Sequence, residues 1–313
     1  MIELNAKTSA YAIFDMDNTS YRYDLEESLL PYLENRGILT RTTLDPSLKL
    51  IPFKDTANFT ESLYSYYLRL CEVDDFLCYP WAAQVWSGFT LREMKGWVDE
   101  VLALNSTVAV KYWHGDEVVE GMVNPPRIFK GQVELYNTLM AYGISVYVIS
   151  AAHEELVRMV ASDPKYGYNV PPENVIGVTT VLRNATSGAL TNARKQISEE
   201  AYDAAANMDL VMGSNLWTPA TWFAGKWAAV LSYIDPWKRP VLVGGDTPGS
   251  DTYMHFHGVD TDKGGIRLWV NRKKSAYEEL QELIKENVEG QGENGREVTA
   301  DRNWVVVTPE DIL

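Results

Sequence analysis

The chain has little of what several common functions require. No apolar run approaches the roughly 18–20 residues of a membrane-spanning helix. Residues 1–7 (Met-Ile-Glu-Leu-Asn-Ala-Lys) hold no signal-peptide apolar region, so the expectation is a cytoplasmic chain or one that has lost a leader. Positive charge is scarce: 28 Lys and Arg against 43 Asp and Glu leave a formal charge of −15. That balance argues against nucleic acid or an anionic membrane as a partner. It leaves an anionic small molecule open, because a bound cation reverses the local field. Four histidines are present, and the chemistry below needs none of them. His255 and His257 stand two apart on an expected helix and so do not share a face. Cysteine is limited to Cys71 and Cys78. They are either two buried thiols or a local disulfide, and a disulfide would mean an oxidising compartment.

What is there is an alternation. The length of 313 residues suits one large domain or a core with an inserted module. Five short β-branched or aromatic runs bounded by Gly, Pro, Asn or Asp read as buried strands: 10–15, 144–150, 175–181, 241–246 and 266–271. Helical patterns lie between them at 131–142, 153–162, 218–234 and 276–289. Such alternation predicts an α/β fold with a parallel sheet covered on both faces. The interval 21–124 breaks the pattern. It has no convincing buried strand, carries helical stretches at 25–35, 59–71 and 90–104, and is dense in aromatics such as Tyr67, Tyr79, Trp81 and Trp86. We read it as a mostly helical cap inserted after the first strand, with residues 1–20 and 125–313 forming the core. Residues 184–188 read as a hairpin turn, and 290–295 as a flexible polar loop before a short last segment at 304–307.

Polar residues of particular kinds punctuate this scaffold. The first strand ends in Asp15-x-Asp17-x-Thr19, the second in Ser150. A helical segment carries Lys226, and the fourth strand ends in Gly245-Asp246 with Asp251 five residues on. Residues two apart on a strand point the same way, so Asp15 and Asp17 leave the sheet together, where open α/β sheets place ligands. Each cue alone has a plainer reading, since a Ser or Asp before a helix is usually a cap. Their order makes an enzyme of phosphoryl transfer the stronger reading. Such a reaction needs a nucleophile and heavy charge management. Asp15 suits attack on phosphorus, and Asp17 suits proton transfer to the leaving oxygen and from water. Thr19, Ser150 and Lys226 suit the phosphate oxygens. A Mg2+ ion, which prefers oxygen ligands, suits Asp15, Asp17 through its carbonyl, Asp246 and Asp251.

The ordered set Asp15-x-Asp17-x-Thr19, Ser150, Lys226 and Gly245-Asp246 with Asp251 resembles the four motifs of the haloacid dehalogenase superfamily. The resemblance implies a Rossmann-like core and an aspartyl-phosphate intermediate. An acid at position 17 implies the phosphatase branch, because the superfamily's dehalogenases and phosphonatases lack it. The insert resembles that superfamily's first-position cap.

Within the superfamily the chain is most similar to the bacterial phosphorylcholine phosphatases, through residues 17–31, 79–81, 148–152, 217–222 and 245–251. The resemblance runs from about residue 10 to about residue 273. It implies a Mg2+-dependent phosphomonoesterase, tolerant of other divalent metals, acting on phosphorylcholine or a similar small cationic alcohol phosphate. It also implies a periplasmic or secreted protein with a Cys71–Cys78 bridge. Gly249 departs from the pattern, which has Asp there. Glu27 matches an acidic residue that these phosphatases set against choline. Tyr23, the cap aromatics, Glu61 and Glu72 are further candidates, since quaternary ammoniums sit on aromatic faces. Phosphoethanolamine or phosphoserine are alternative substrates, and a non-catalytic choline- or phospholigand-binding protein is the alternative outside enzymes.

Overall fold

Tyr11–Phe14 (β1) is apolar and buried at all four positions, which requires neighbours on both faces as well as on both edges. The computed structural model describes residues 9–313 and supplies them; the 1–7 stretch read above for a signal peptide lies outside the described residues. After a two-residue strand, Tyr21–Arg22 (β2), come the helices Leu25–Asn35 (α1), Leu63–Val73 (α2), Asp75–Gln84 (α3) and Leu91–Ala103 (α4). Strands Val108–His114 (β3), Glu117–Val123 (β4) and Arg127–Ile128 (β5) lead to Lys130–Ala141 (α5). Next are Ser145–His153 (β6), Glu154–Ala161 (α6), Val175–Asn184 (β7), Leu190–Thr191 (β8), Ala193–Ser198 (α7), Ala204–Asn207 (α8) and Leu210–Trp217 (β9). The chain closes with Ala224–Tyr233 (α9), Leu242–Gly245 (β10), Pro248–Gly258 (α10), Ile266–Val270 (β11), Lys274–Glu293 (α11), Trp304–Val307 (β12) and Pro309–Ile312 (α12).

The main sheet runs β12-β11-β10-β1-β6-β7-β8, with β9 also on β7. Every pair from β12 to β7 is parallel, and β8 and β9 join β7 antiparallel. The fold is α/β, as the alternation predicts. β1 lies central, and its C-terminal end meets those of β6 and β10. One buried apolar cluster joins Phe14 and Val146 of the sheet to Leu25, Leu29, Trp81 and Val98 of the segment inserted after β1. Among the described residues no helix is long and apolar enough to cross a membrane.

Four expectations need correction. The interval 21–124 holds a two-stranded hairpin, β3–β4; in β3, Val108, Val110 and Trp113 are buried while Ala109, Lys111 and His114 are exposed, a half-buried pattern distinct from the fully buried runs sought. The expected loop at 290–295 is helical through Glu293: Gly290 and Gly292 cost roughly 1 kcal/mol each and do not break a helix of 20 residues. The helix expected from 218 starts at Ala224, since Phe223, with φ +50°, lies outside the helical region. Finally, β6 runs past Ser150 to His153, with an irregular register between Ile149 and His153. Cys71 and Cys78 are joined as a disulfide, their Cα atoms 5.0 Å apart.

Candidate active site

A cavity of about 200 Å³ opens where β1, β6 and β10 end. Asp15, Asp17 and Asn18 come from the turn after β1, Ser150–Ala152 from β6, and Thr247 and Ser250 from the N-terminal end of α10. Asp24, Glu26, Glu27 and Leu30 arrive with the start of α1. Tyr67, Tyr79, Ala82, Val85 and Trp86 come from α2, α3 and the residues after α3. Arg272, just past β11, completes the wall.

Two glycines explain how motif residues reach this place. A Cβ at Gly225 would lie 1.8 Å from the Ala220 carbonyl oxygen, so α9 starts tightly folded against the preceding turn with Lys226 next in line. A Cβ at Gly245 would lie 2.6 Å from the Cβ of Asp251, so the loop after β10 closes on Asp251. Nζ of Lys226 then lies 2.8 Å from Asp15 Oδ1 and 2.7 Å from Asp251 Oδ1. Asp251 Oδ2 accepts the N–H groups of Asp246 (2.9 Å) and Thr247 (3.0 Å). Asp251 thus fixes both the lysine and the turn.

Asp15 is nearly buried, and its Oδ1 also accepts the Met16 N–H at 2.7 Å. Oδ2 is left as its less engaged oxygen. Burial, with the charge of Asp251, pushes the Asp15 carboxyl up to about 8, against the pull of Lys226. Asp17 Oδ1 accepts from the Tyr21 hydroxyl (2.6 Å) and the Leu25 N–H (2.8 Å). Burial, aided by the charge of Asp24, raises the Asp17 carboxyl well above its ordinary value despite both donors. The group is therefore set to hold a proton. Ser150 Oγ accepts from the Ala152 N–H at 3.1 Å, which leaves its own O–H to donate, and the Thr221 hydroxyl fixes the Ser150 carbonyl at 2.6 Å.

Asp15, Asp246 and Asp251 each bring a carboxylate oxygen within 4.8 Å of the others. Asp246 accepts from the Thr19 hydroxyl at 2.8 Å, the Thr247 hydroxyl at 3.0 Å and Nε of Arg272. Burial raises the Asp246 carboxyl, with Arg272 opposing and Asp251 adding to the rise. An all-oxygen, net-anionic donor set with no His or Cys in it fits a hard divalent cation.

Some sequence-predicted residues fall elsewhere. Thr19 is fully buried, gives its hydroxyl to Asp246 and does not line the cavity. Its backbone carbonyl accepts from Gln132. Tyr23 also lies off the cavity wall; its φ of +70° turns the chain, and its N–H goes to Asn18. Glu61 is buried against Arg69, the Lys54 N–H and Ser65, away from the cavity, and Glu72 is exposed. Lys226 reaches the cavity through Asp15 rather than as a wall residue. Gly249 adjoins the Phe223 ring, 3.1 Å from where its Cβ would stand. No histidine lines the cavity among the described residues: His153 caps α6, and His255 is buried with both ring nitrogens unpartnered.

The acidic wall was only partly foreseen. Glu27 is there, pushed up to about 7 by burial and Asp24 against the pull of Arg272. Glu26 stands beside it, Oε1 accepting from Trp86 Nε1 (2.9 Å) and the His153 N–H (3.1 Å). Asp24, which also caps α1 through the Glu27 N–H at 2.8 Å, falls within the 21–27 stretch expected to begin the specificity site but is not singled out by the sequence. Arg272 was missed as well, for it belongs to no motif.

No family model matches the chain. It is 64% identical over 312 residues to the phosphorylcholine phosphatase of Pseudomonas aeruginosa, an alignment that covers 100% of this chain and 89% of that protein. The chain belongs to the phosphorylcholine phosphatase family.

Two solved structures share its architecture. A conserved protein of unknown function from Anaerococcus prevotii gives a TM-score of 0.57 at 18% identity, covering 88% of this chain and 83% of that one. A protein of unknown function from Bordetella pertussis gives 0.54 at 10% identity, covering 96% and 98%. At those identities the likeness is one of fold. In this member of the phosphorylcholine phosphatase family, the cavity sets two aspartates from the β1 turn against an acidic and aromatic wall.

Proposed function

We propose that this chain hydrolyses phosphorylcholine, or a similarly small cationic alcohol phosphate, as a phosphatase of the haloacid dehalogenase type. The observation that carries the proposal is the mixed wall of the cavity. Asp15, Asp17 and Ser150 come to it from the sheet, and Asp24, Glu26 and Glu27 with Tyr67, Tyr79 and Trp86 come from the segment inserted after β1. Carboxylates beside aromatic faces suit a quaternary ammonium, and the groups from the sheet suit its phosphate. Residues 21–124 act in this reading as the specificity cap over the core formed by 1–20 and 125–313.

Asp15 attacks phosphorus through Oδ2 in its ionised form, which the adjacent Lys226 favours against burial; an aspartyl phosphate forms, and the bond to the alcohol oxygen breaks. Asp17, protonated because of its burial, gives its proton to the leaving oxygen. It then takes a proton from the water that attacks phosphorus; the bond to Asp15 breaks, and phosphate and a free carboxylate result. Lys226 orients Asp15 and offsets its charge, while the Ser150 hydroxyl donates to a phosphate oxygen. Asp15, Asp246 and the Asp17 carbonyl would hold a Mg2+ ion, with Asp251 behind them; when bound, such an ion neutralises phosphate charge.

Phosphate release from a panel of phosphomonoesters, with Mg2+ and with EDTA, tests the reading. Preference for phosphorylcholine over phosphoserine and p-nitrophenyl phosphate, lost in EDTA, is expected. Binding of phosphorylcholine without phosphate release would overturn it.

A further inference from the structure

A phosphomonoester brings about −1.5 to −2 units of charge at neutral pH, and this cavity offers it few cationic partners. Asp15, Asp17, Asp24, Glu26 and Glu27 line it, and Arg272 is the one cationic side chain on its wall among the described residues. Lys226 does not substitute for it: its side chain is fully buried and engaged by Asp15 and Asp251. Arg272 is one-third exposed and lies just past the end of β11, beside the loop that follows β10. Its Nε donates to Asp246 Oδ2, and Nη2 reaches the Thr247 hydroxyl at 3.2 Å. A guanidinium has five N–H donors in a planar fork. These two contacts leave the others free for a second, bidentate oxyanion. Asp246 is also an oxygen donor of the candidate cation site, so the guanidinium and a divalent cation compete for one carboxylate.

We propose that Arg272 receives the phosphate charge of the substrate in the cavity, and that it holds Asp246 as a stand-in cation until a divalent ion takes that carboxylate. This rests on the phosphatase reading above and adds a residue to it. The proposal ties two affinities to one side chain with opposite signs. Removing the guanidinium relieves the competition at Asp246 and so tightens the metal. It also deprives the phosphate of its partner and so weakens the anion.

Calorimetric titration of Mg2+ alone and of inorganic phosphate into wild type, Arg272→Gln and Arg272→Lys tests this, beside KM for phosphorylcholine and p-nitrophenyl phosphate. Arg272→Gln is expected to bind Mg2+ about three-fold or more tighter and phosphate about ten-fold weaker, the usual size of a lost charge-assisted hydrogen bond. KM should rise alike for both substrates, because they share the phosphate. Arg272→Lys keeps the charge and loses the fork, so Mg2+ affinity stays near wild type while phosphate weakens. If Arg272→Gln does not fold, that lysine pattern decides alone. Unchanged phosphate affinity, weaker Mg2+ binding, or a KM change confined to phosphorylcholine would overturn the proposal. A wild-type protein that binds phosphate but never releases it from phosphorylcholine sinks the phosphatase reading instead, and the two titrations still judge Arg272.

Discussion

Nζ of Lys226 lies 2.8 Å from Oδ1 of Asp15, with the lysine wholly buried and the aspartate nearly so. Burial pulls the ammonium down, but Asp15 and Asp251 outweigh it and hold Lys226 above its ordinary value. The pair ties the start of α9 to the C-terminal end of the central strand β1, so the position of the proposed nucleophile and the stability of that end of the sheet depend on one contact.

Lys226→Met is therefore expected to cost stability as well as turnover. Removing one partner of a buried ion pair leaves an uncompensated charge and typically costs about 3–5 kcal/mol. Urea unfolding measures it, and adding Asp251→Asn to Lys226→Met should recover part of the loss. Stability equal to wild type in the single variant would show that Asp15 and Asp251 do not need the cation.

Glu26 makes stability depend on pH in a stated direction. Its carboxyl is pushed from 4.5 up to about 8, chiefly by burial, with the Trp86 hydrogen bond opposing. Between those values the folded protein keeps a proton that the unfolded chain has lost, so this group's contribution falls as pH rises through that window. Glu26→Gln keeps an Oε1 acceptor for Trp86 and His153 but removes the titration. Melting temperatures from pH 4.5 to 8 should show the variant gaining on wild type as pH rises. Parallel curves would contradict the assignment.

Glu27, with its carboxyl raised to about 7, should make head-group recognition pH-dependent. As pH rises from 6 to 8 the group ionises, and KM for phosphorylcholine should fall relative to KM for p-nitrophenyl phosphate, which has no ammonium. Glu27→Gln should flatten that ratio and raise KM for phosphorylcholine about ten-fold, or about 1.4 kcal/mol. An equal rise for both substrates would assign Glu27 to the phosphate end.

The sheet and its polar punctuation were legible because strand ends announce themselves locally. Asp15, Asp17, Ser150, Lys226, Asp246 and Asp251 each follow a buried run or open a helix, and the structure gathers them. For Thr19, a hydroxyl near a phosphate site and one supporting a carboxylate look alike in sequence; here the hydroxyl's partner, Asp246, is 227 residues away. Tyr23 is illegible for a different reason. Its positive φ turns the backbone between Asn18 and α1, and no periodicity reveals that. Arg272 was invisible, since a lone arginine after a strand acquires meaning only when the fold sets it against Asp246. The β3–β4 hairpin was missed because its strands are half-buried, whereas the search favoured continuous apolar runs.

The most direct test of the central claim is phosphate release from phosphorylcholine by wild type and Asp15→Asn, with Mg2+ and with EDTA, beside their melting profiles. Wild type should release phosphate in Mg2+ and stop in EDTA. Asp15→Asn should release none while melting as a folded protein. Sustained turnover by folded Asp15→Asn would contradict covalent attack by Asp15 and the mechanism built on it.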